Sequence, residues 1–468
     1  MRRLPVIVAI GLVLSVQVVP AAHARAAGTI DFRHSLQRID GFGFSQAFQR
    51  AALMHGARGL SPQKQREVLD LLLSRTHGAG LSILRLGIGS SADNPYDRML
   101  SIQPVDPGGP AAPPKYVWDG DDGGQVWLAK EAKAYGVTRF YADAWSAPGY
   151  MKDNGDDANG GTLCGLQGTS CTSGDWRRAY ADYLVQYTRF YAQEGITITD
   201  LGFTNEPEWT TSYASMRLTP AQAVEFTKVL GPRVQGTQLK LVCCDAAGWS
   251  QQREYTAAIE ADPVARDYIT THAGHPYRSP VDGPLPTDKH TWMSEWSPNG
   301  TTWNEAWDDN SGYDGFAVAQ NIHDTLTTGE ANGYVFWFGA SLGATRGLIQ
   351  LDDGTNGGDS YRVSKRLWAL ASYSRFIRPD AVRVQAATAD TALKVSAYRN
   401  ADGSRVVEIL NTATTTVSTD FTLDIPGRPR AYVTDTTRSL TATDAVRVQG
   451  KTLSAQLAPR SLTTVVLR

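Results

Sequence analysis

Eight short apolar runs, at residues 41–44, 82–88, 137–145, 198–205, 239–244, 268–273, 290–295 and 333–338, alternate with longer amphipathic stretches. Helical spacing is readable at 62–76, 124–135, 176–194, 220–230, 250–260, 316–328 and 363–376. Near-continuous apolar strands separated by helices belong to a parallel sheet covered on both faces, and eight repeats predict its closed form, the α/β class (β/α)8 barrel. The sixth unit is irregular, because 275–289 is rich in proline and has no helical spacing. After Arg378-Pro379 the texture changes to Thr, Val and Ala alternating in short runs, at 392–397, 405–410, 417–423, 431–436 and 462–467. This predicts a C-terminal antiparallel β-sandwich of about 90 residues. An early strand at 29–37 is expected to join it and clip the two chain ends together. The expected division is an export signal over 1–26, a joining strand over 27–40, a catalytic barrel over 41–376 and a sandwich side domain over 377–468.

The first residues carry that signal pattern: Arg2 and Arg3, an apolar stretch from Leu4 to Val19, then Ala21-Ala22-His23-Ala24. The apolar core is too short and too diluted by Gly11, Ser15 and Gln17 for a membrane anchor, which needs roughly 20 apolar residues. An extracellular protein with no membrane partner is expected. A net charge of -2 gives no basic field for nucleic acid. Twelve Trp and nineteen Tyr suit stacking on sugar faces, although most such rings build cores. Four cysteines in an exported chain point to disulfides. Cys164 and Cys171 flank a Gly-rich hexapeptide and are expected to bridge. Cys243 and Cys244, adjacent on a strand, should point to opposite faces. Two buried thiols are expected there, with a vicinal bridge as the alternative. No His lies at ligand spacing from either pair and no His-Glu-x-x-His occurs, so no metal site is expected.

Two segments end apolar runs on a glutamate: Leu201-Gly202-Phe203-Thr204-Asn205-Glu206-Pro207 and Thr291-Trp292-Met293-Ser294-Glu295-Trp296-Ser297-Pro298. No other carboxylate is read as so placed. Glu206 closes the fourth strand and Glu295 the seventh, across the bowl in which barrels of this kind carry their chemistry. Two carboxyl groups about 5 Å apart across a sugar ring split glycosidic cleavage into two displacements. A lone glutamate usually caps an element or joins a surface ion pair. A strand-terminal one after buried sequence is costly to desolvate without a partner. Arg85, charged within the apolar Leu84-Arg85-Leu86, is a candidate for that partner.

With the opening Ile39-Asp40-Gly41-Phe42-Gly43, the Asn-Glu-Pro and Ser-Glu-Trp segments make the chain resemble glycoside hydrolase family 30 over nearly all of its length after the signal. The resemblance implies a retaining enzyme with Glu206 as acid/base and Glu295 as nucleophile. Tyr277 is expected to donate its hydroxyl to the nucleophile, as the corresponding tyrosine does in related barrels. Asn205 is placed to hydrogen-bond the sugar 2-hydroxyl. Arg85 is expected to hold Glu295 ionised, and a negative Glu295 to raise the pKa of Glu206. Trp145 and Trp337, at strand ends, are expected platforms for the ring. Glu208 is read as a loop residue without a role. The cycle needs no cofactor.

The segment Gly43-Phe44-Ser45-Gln46-Ala47-Phe48-Gln49-Arg50, with Ser146-Ala147-Pro148-Gly149-Tyr150-Met151-Lys152 and the loop 160–176, resembles the xylan-active, fungal-type branch. Xylose lacks the hydroxymethyl arm, so Phe48 or Trp145 can close over the ring where a hexose would clash. Arg50 matches an arginine that this branch associates with a glucuronic acid side group, and its fork suits a carboxylate. The expected function is cleavage of β-1,4-xylosidic bonds in xylan or glucuronoxylan, with a polysaccharide or oligosaccharide as partner. The alternatives are a β-1,6-galactanase or β-1,6-glucanase, and a catalytically silent carbohydrate-binding protein, which has no use for two opposed carboxylates. A serine hydrolase lacks its Gly-x-Ser-x-Gly elbow.

Overall fold

Eight parallel strands pair in chain order and close on themselves. In the computed structural model, which describes residues 26–468 apart from 57–58, 96, 299, 301, 344–345 and 353–357, the strand β1 (Ala26–Arg38) precedes the barrel strands. These are β2 (Gly41–Ser45), β3 (Ile83–Ile88), β4 (Arg139–Ala144), β5 (Asp200–Gly202), β6 (Lys240–Ala246), β7 (Ile269–Gly274), β8 (His290–Trp296) and β9 (Gly333–Ser341). β9 pairs with both β8 and β2, which makes the sheet a barrel. Except for its last residue, the expected export signal lies outside the described residues.

The barrel helices are α1 (Pro62–Leu73), α2 (Gln125–Ala134), α3 (Arg177–Gln193), α4 (Pro220–Val234), α5 (Trp249–Ala261), α6 (Pro263–Tyr268), α7 (Gly315–Thr327) and α8 (Lys365–Ser374). Their starts follow from local chemistry. Pro220 sits in the first turn of α4 while Thr219 and Gln222 form a reciprocal capping box. Asp314 accepts from the backbone N–H of Ala317 at the start of α7. No helix separates β7 from β8, in line with the proline-rich reading of that unit. The short α6, which follows α5 almost directly, was not anticipated. Its cap, Asp262, accepts from both Val264 and Ala265, and Pro263 opens it. Among the described residues no helix is long and apolar enough to cross a membrane.

Side chains fill the barrel. Ile83, Tyr141, Val242, Ala273, Trp292 and Val335, from six different strands, pack together inside it. Helices cover the outer face, so β2, β3 and β9 are buried at every position, which explains why their sequences read as unbroken apolar runs. Gly202 is required by a close approach: a Cβ there would stand 2.1 Å from Asp143 Oδ1. Two strands that the sequence reading missed, β10 (Gly347–Leu351) and β11 (Tyr361–Val363), extend the sheet beyond β9.

The sandwich comprises β12 (Val382–Thr388), β13 (Leu393–Arg399), β14 (Arg405–Asn411), β15 (Val417–Leu423), β16 (Pro429–Thr434), β17 (Thr441–Thr443), β18 (Val446–Gln449), β19 (Thr452–Leu457) and β20 (Ser461–Leu467). Its core is separate from that of the barrel. β1 inserts between β12, to which it is antiparallel, and β15, to which it is parallel. β12 and β17 to β19 are strands that sequence alternation did not single out, because their exposed polar positions dilute the pattern.

Candidate active site

Glu295 lies near the end of β8, buried, with a partner on each oxygen. Arg85 Nη1, from β3, donates to its Oε2 at 2.5 Å, and the hydroxyl of Tyr277, from the loop after β7, donates to its Oε1 at 3.1 Å. Arg85 is fully buried. Its Nη2 reaches Asp143 Oδ2 (2.7 Å), Asn205 Oδ1 (2.7 Å) and Asp245 Oδ1 (3.1 Å), and its guanidinium lies 4.5 Å over the Trp145 ring. A cation inside an apolar barrel is thus matched by three carboxylates and an aromatic face.

Glu206 is held differently. β5 ends at Gly202, and Glu206 stands four residues further on in the left-handed region at φ 48°. That conformation costs a non-glycine residue free energy and persists only where its surroundings enforce it. The enforcing contacts include a hydrogen bond from Glu206 N to the carbonyl of Asp245 at 2.8 Å. His275 Nδ1 stands 3.2 Å from Glu206 Oε1, and the Tyr213 hydroxyl 3.4 Å from Oε2. One carboxylate oxygen of Glu206 and one of Glu295 lie within 4.8 Å of each other.

Burial and countercharge compete throughout this centre. Burial alone would lower the pKa of His275, but the negative charges of Glu295, Asp245 and Glu206 outweigh it and raise it to about 10. Asp245 is pushed up by burial and brought below its ordinary value by Arg85 and His275. Asp143 is held well above its ordinary value, by burial first and then by the charge of Asp245, although Arg85 opposes this. Burial, followed by neighbouring carboxylates, keeps the hydroxyls of Tyr141 and Tyr277 protonated and therefore donors. Burial raises the carboxyl of Glu295 above the ordinary value, and His275 and Arg85 reduce that rise without reversing it.

Glu206, His275 and Glu295 each turn one ligand-type atom toward a common point. Both ring nitrogens of His275 face carboxylates of the protein, Nδ1 toward Glu206 and Nε2 toward Asp245. Protonated, His275 donates through Nδ1 to Glu206 and through Nε2 to Asp245, 3.3 Å away.

Above the glutamates opens a cavity of about 420 Å³. Phe48, Trp145, Trp337, Tyr213 and Phe338 wall it, with Phe48 set edge-on to Trp145, Tyr213 and Trp337 at centroid distances of 5.3, 6.0 and 6.1 Å. Phe48 and Gln49 are consecutive left-handed residues (φ 54° and 59°). Arg50 braces them: its Nη1 donates to the Phe48 carbonyl (2.6 Å) and pairs with Asp97 (2.7 Å), its Nε meets Ser341, and its guanidinium covers Phe338. Arg50 therefore lines the cavity with its charge already met by Asp97. Trp209 and Arg278 also line the cavity, the guanidinium 4.6 Å over the indole.

A family description for O-glycosyl hydrolase family 30 matches residues 26–272, and one for the glycosyl hydrolase family 30 beta sandwich domain matches 380–465. The chain belongs to glycoside hydrolase family 30. Among solved structures, the catalytic domain of GH30 xylanase C from Talaromyces cellulolyticus is 37% identical with a TM-score of 0.87, covering 94% of this chain and 100% of that one. Glucuronoxylanase XynC of Bacillus subtilis (strain 168) is 25% identical over 365 residues, 73% of this chain and 77% of the relative. Endo-1,6-beta-D-glucanase BGN16.3 of Trichoderma harzianum is 25% identical over 398 residues, 80% of this chain and 78% of the relative. This family 30 member is a glycoside hydrolase with xylanase-type neighbours.

The family 30 site brings Glu206, Glu295, Arg85, Asn205, Tyr277 and Trp145 into one network, with Trp337, Phe48 and Arg50 on the cavity wall. Asn205 does not itself line the cavity. Glu208 is half-buried and accepts from the backbone N–H of Ala247 at 2.7 Å. Cys164 and Cys171 are bridged, with Cα atoms 5.6 Å apart. Cys243 and Cys244 are also bridged, which corrects the expectation of two thiols. The peptide between them is cis and their Cα atoms are 3.0 Å apart. The claim that only two carboxylates end apolar runs is corrected as well. Asp143 and Asp245 close β4 and β6, and the rule that singled out Arg85, a charge inside an apolar run, would have found them. Nothing local marks His275 or Tyr213, whose roles arise where loops meet.

Proposed function

We propose that the protein is an exported retaining β-glycosidase that cleaves β-1,4-xylosidic bonds of xylan or glucuronoxylan, with the barrel over 41–376 as catalytic domain and the sandwich over 377–468 beside it. The observation that carries the mechanism is the approach of the two carboxylates within 4.8 Å. That separation fits a nucleophile acting directly on the anomeric carbon, whereas inverting enzymes need about 6.5–9.5 Å to admit a water.

In the first step Glu295 attacks the anomeric carbon and Glu206 gives its proton to the departing oxygen, so the glycosyl ester forms as the glycosidic bond breaks. In the second step ionised Glu206 takes a proton from water, which displaces Glu295 and restores both groups. Arg85 and Tyr277 hold Glu295 in line, and the side-chain oxygen of Asn205 accepts from Arg85. No step calls for a metal or organic cofactor.

Two observations favour a xylan-type substrate. The edge-on Phe48, held by its braced left-handed backbone, narrows the cavity over the position of the ring. The Talaromyces xylanase C, 37% identical, is also more similar in sequence than the two other relatives cited, each 25% identical. A β-1,6-glucan substrate is the second reading, motivated by the Trichoderma glucanase, which matches over 80% of this chain. Digestion of glucuronoxylan, arabinoxylan, β-1,6-galactan and β-1,6-glucan with product sizing tests both. Release of xylo-oligosaccharides with retained anomeric configuration is expected, and turnover of β-1,6-glucan alone would replace the xylan reading.

A further inference from the structure

We propose that Asp245 is the positioning residue that couples the two glutamates, its carboxylate fixing the groups that face Glu295 and its backbone carbonyl fixing Glu206. The inference rests on the reading that these glutamates carry the reaction. It does not depend on which polymer is cut.

Asp245 follows the vicinal pair on β6 and is fully buried, with a left-handed backbone at φ 55°. Every oxygen it has is used toward the site. Oδ1 accepts from Ser294 Oγ at 2.6 Å, from Arg85 Nη2 at 3.1 Å and from His275 Nε2 at 3.3 Å. Oδ2 accepts from the Tyr141 hydroxyl at 2.5 Å. Its carbonyl accepts from Glu206 N at 2.8 Å. Ser294 is the chain neighbour of Glu295, and Arg85 is the cation on Glu295. His275 is the donor to Glu206. One side chain therefore ties β3, β4, β6, β8 and the loop after β7 to a single point, and the left-handed turn of Glu206 hangs from the same residue.

Charge gives this arrangement its use. In the reading above, negative charge sits on Glu295 before the first step and on Glu206 after it, while the total stays constant. Arg85 is the fixed cation at Glu295 and His275 the one at Glu206, and Asp245 is the fixed anion that keeps them there through each half-reaction. His275 is faced by Glu206, Glu208, Asp143, Asp245, Glu295 and Tyr277, so the loss of Asp245 leaves it a cation with fewer counterions.

The test is Asp245→Asn, which keeps shape and removes charge, assayed beside Glu295→Ala and Glu206→Ala. The expected result is a kcat about 100-fold lower with KM within about three-fold, and an alkaline limb of the pH–rate profile moved to lower pH. A merely structural role would lower the folded fraction without moving that limb. If Asp245→Asn does not fold, Ser294→Ala carries the test. It removes one anchor of the carboxylate and is expected to lower kcat about five-fold at unchanged KM. An unmoved limb with kcat within about three-fold of wild type in Asp245→Asn overturns the inference, as does a kcat within about three-fold in Ser294→Ala where that variant carries the test. If Glu295→Ala and Glu206→Ala stay active, the underlying reading falls and the inference falls with it.

Discussion

Glu295 in the barrel and Glu408 in the sandwich are both strand glutamates sealed from water, yet their surroundings are opposite. Among the described residues, Glu408, on β14, has one hydrogen-bond partner, the Thr464 hydroxyl at 2.8 Å, and its other oxygen has none. Burial holds its carboxyl well above the ordinary value with no cation to oppose it. Glu295 has Arg85, Tyr277 and the nearby charge of His275. A buried glutamate without a cation is a neutral acid filling space, whereas one facing two cations is available as an anion in a dry cavity. Desolvation acts on both, and the countercharge makes the difference.

The largest test of that contrast is Glu295→Ala, expected to lower kcat by at least about 10⁴-fold in a folded protein. Full turnover in this variant would remove the nucleophile assignment. Glu206→Ala should follow, with a loss of about 10³-fold on polymer and a much smaller one on an aryl glycoside whose leaving group needs no proton. Equal losses on the two substrates would argue against an acid role. Arg85→Met probes the countercharge itself. It leaves Glu295, Asp245 and Asp143 buried without their guanidinium and is expected to cost about 3–5 kcal/mol of stability by urea denaturation. A variant as stable as the parent would show that the barrel carboxylates manage as Glu408 does.

Solution pH separates the two regions further. The raised pKa of His275 means that its stabilising contribution is present in full below the ordinary imidazole value, about 6.5, and is lost as pH rises through about 10. Activity and thermal stability should therefore fall together near that upper value, and activity persisting well beyond it would contradict the imidazolium. For Glu408 a raised carboxyl again favours the fold at low pH and disfavours it as pH rises, here with no catalytic consequence. Glu408→Gln is the smallest effect: a gain of about 1 kcal/mol near pH 8 that shrinks toward pH 4, with kcat unchanged. Ionisation of Glu408 would act on the nearby hydroxyls of Tyr373 and Tyr398. A loss of stability near pH 8 would mean that Glu408 is ionised and satisfied after all.

Glu206, Glu295 and Arg85 were legible because each is a charge that interrupts an apolar run, and such an interruption is costly enough to need a reason. Asp143 and Asp245 carry the same mark. Arg50 was legible as a cavity residue, whereas its brace on Phe48 depends on Asp97 and on Ser341, which is distant in sequence. The pairing of Cys243 with Cys244 ran against the strand alternation that made the rest of β6 readable.

The chain by itself determined the alternation that builds the barrel, the change to sandwich texture after Arg378-Pro379 and the candidate pair of glutamates, because periodicity and burial pattern are written in neighbouring residues. Tertiary structure alone decided that His275, Tyr141 and Tyr213 join them, and that burial outweighs two cations at Glu295. Those outcomes depend on distances between side chains from different strands, which exist only once β9 has closed against β2.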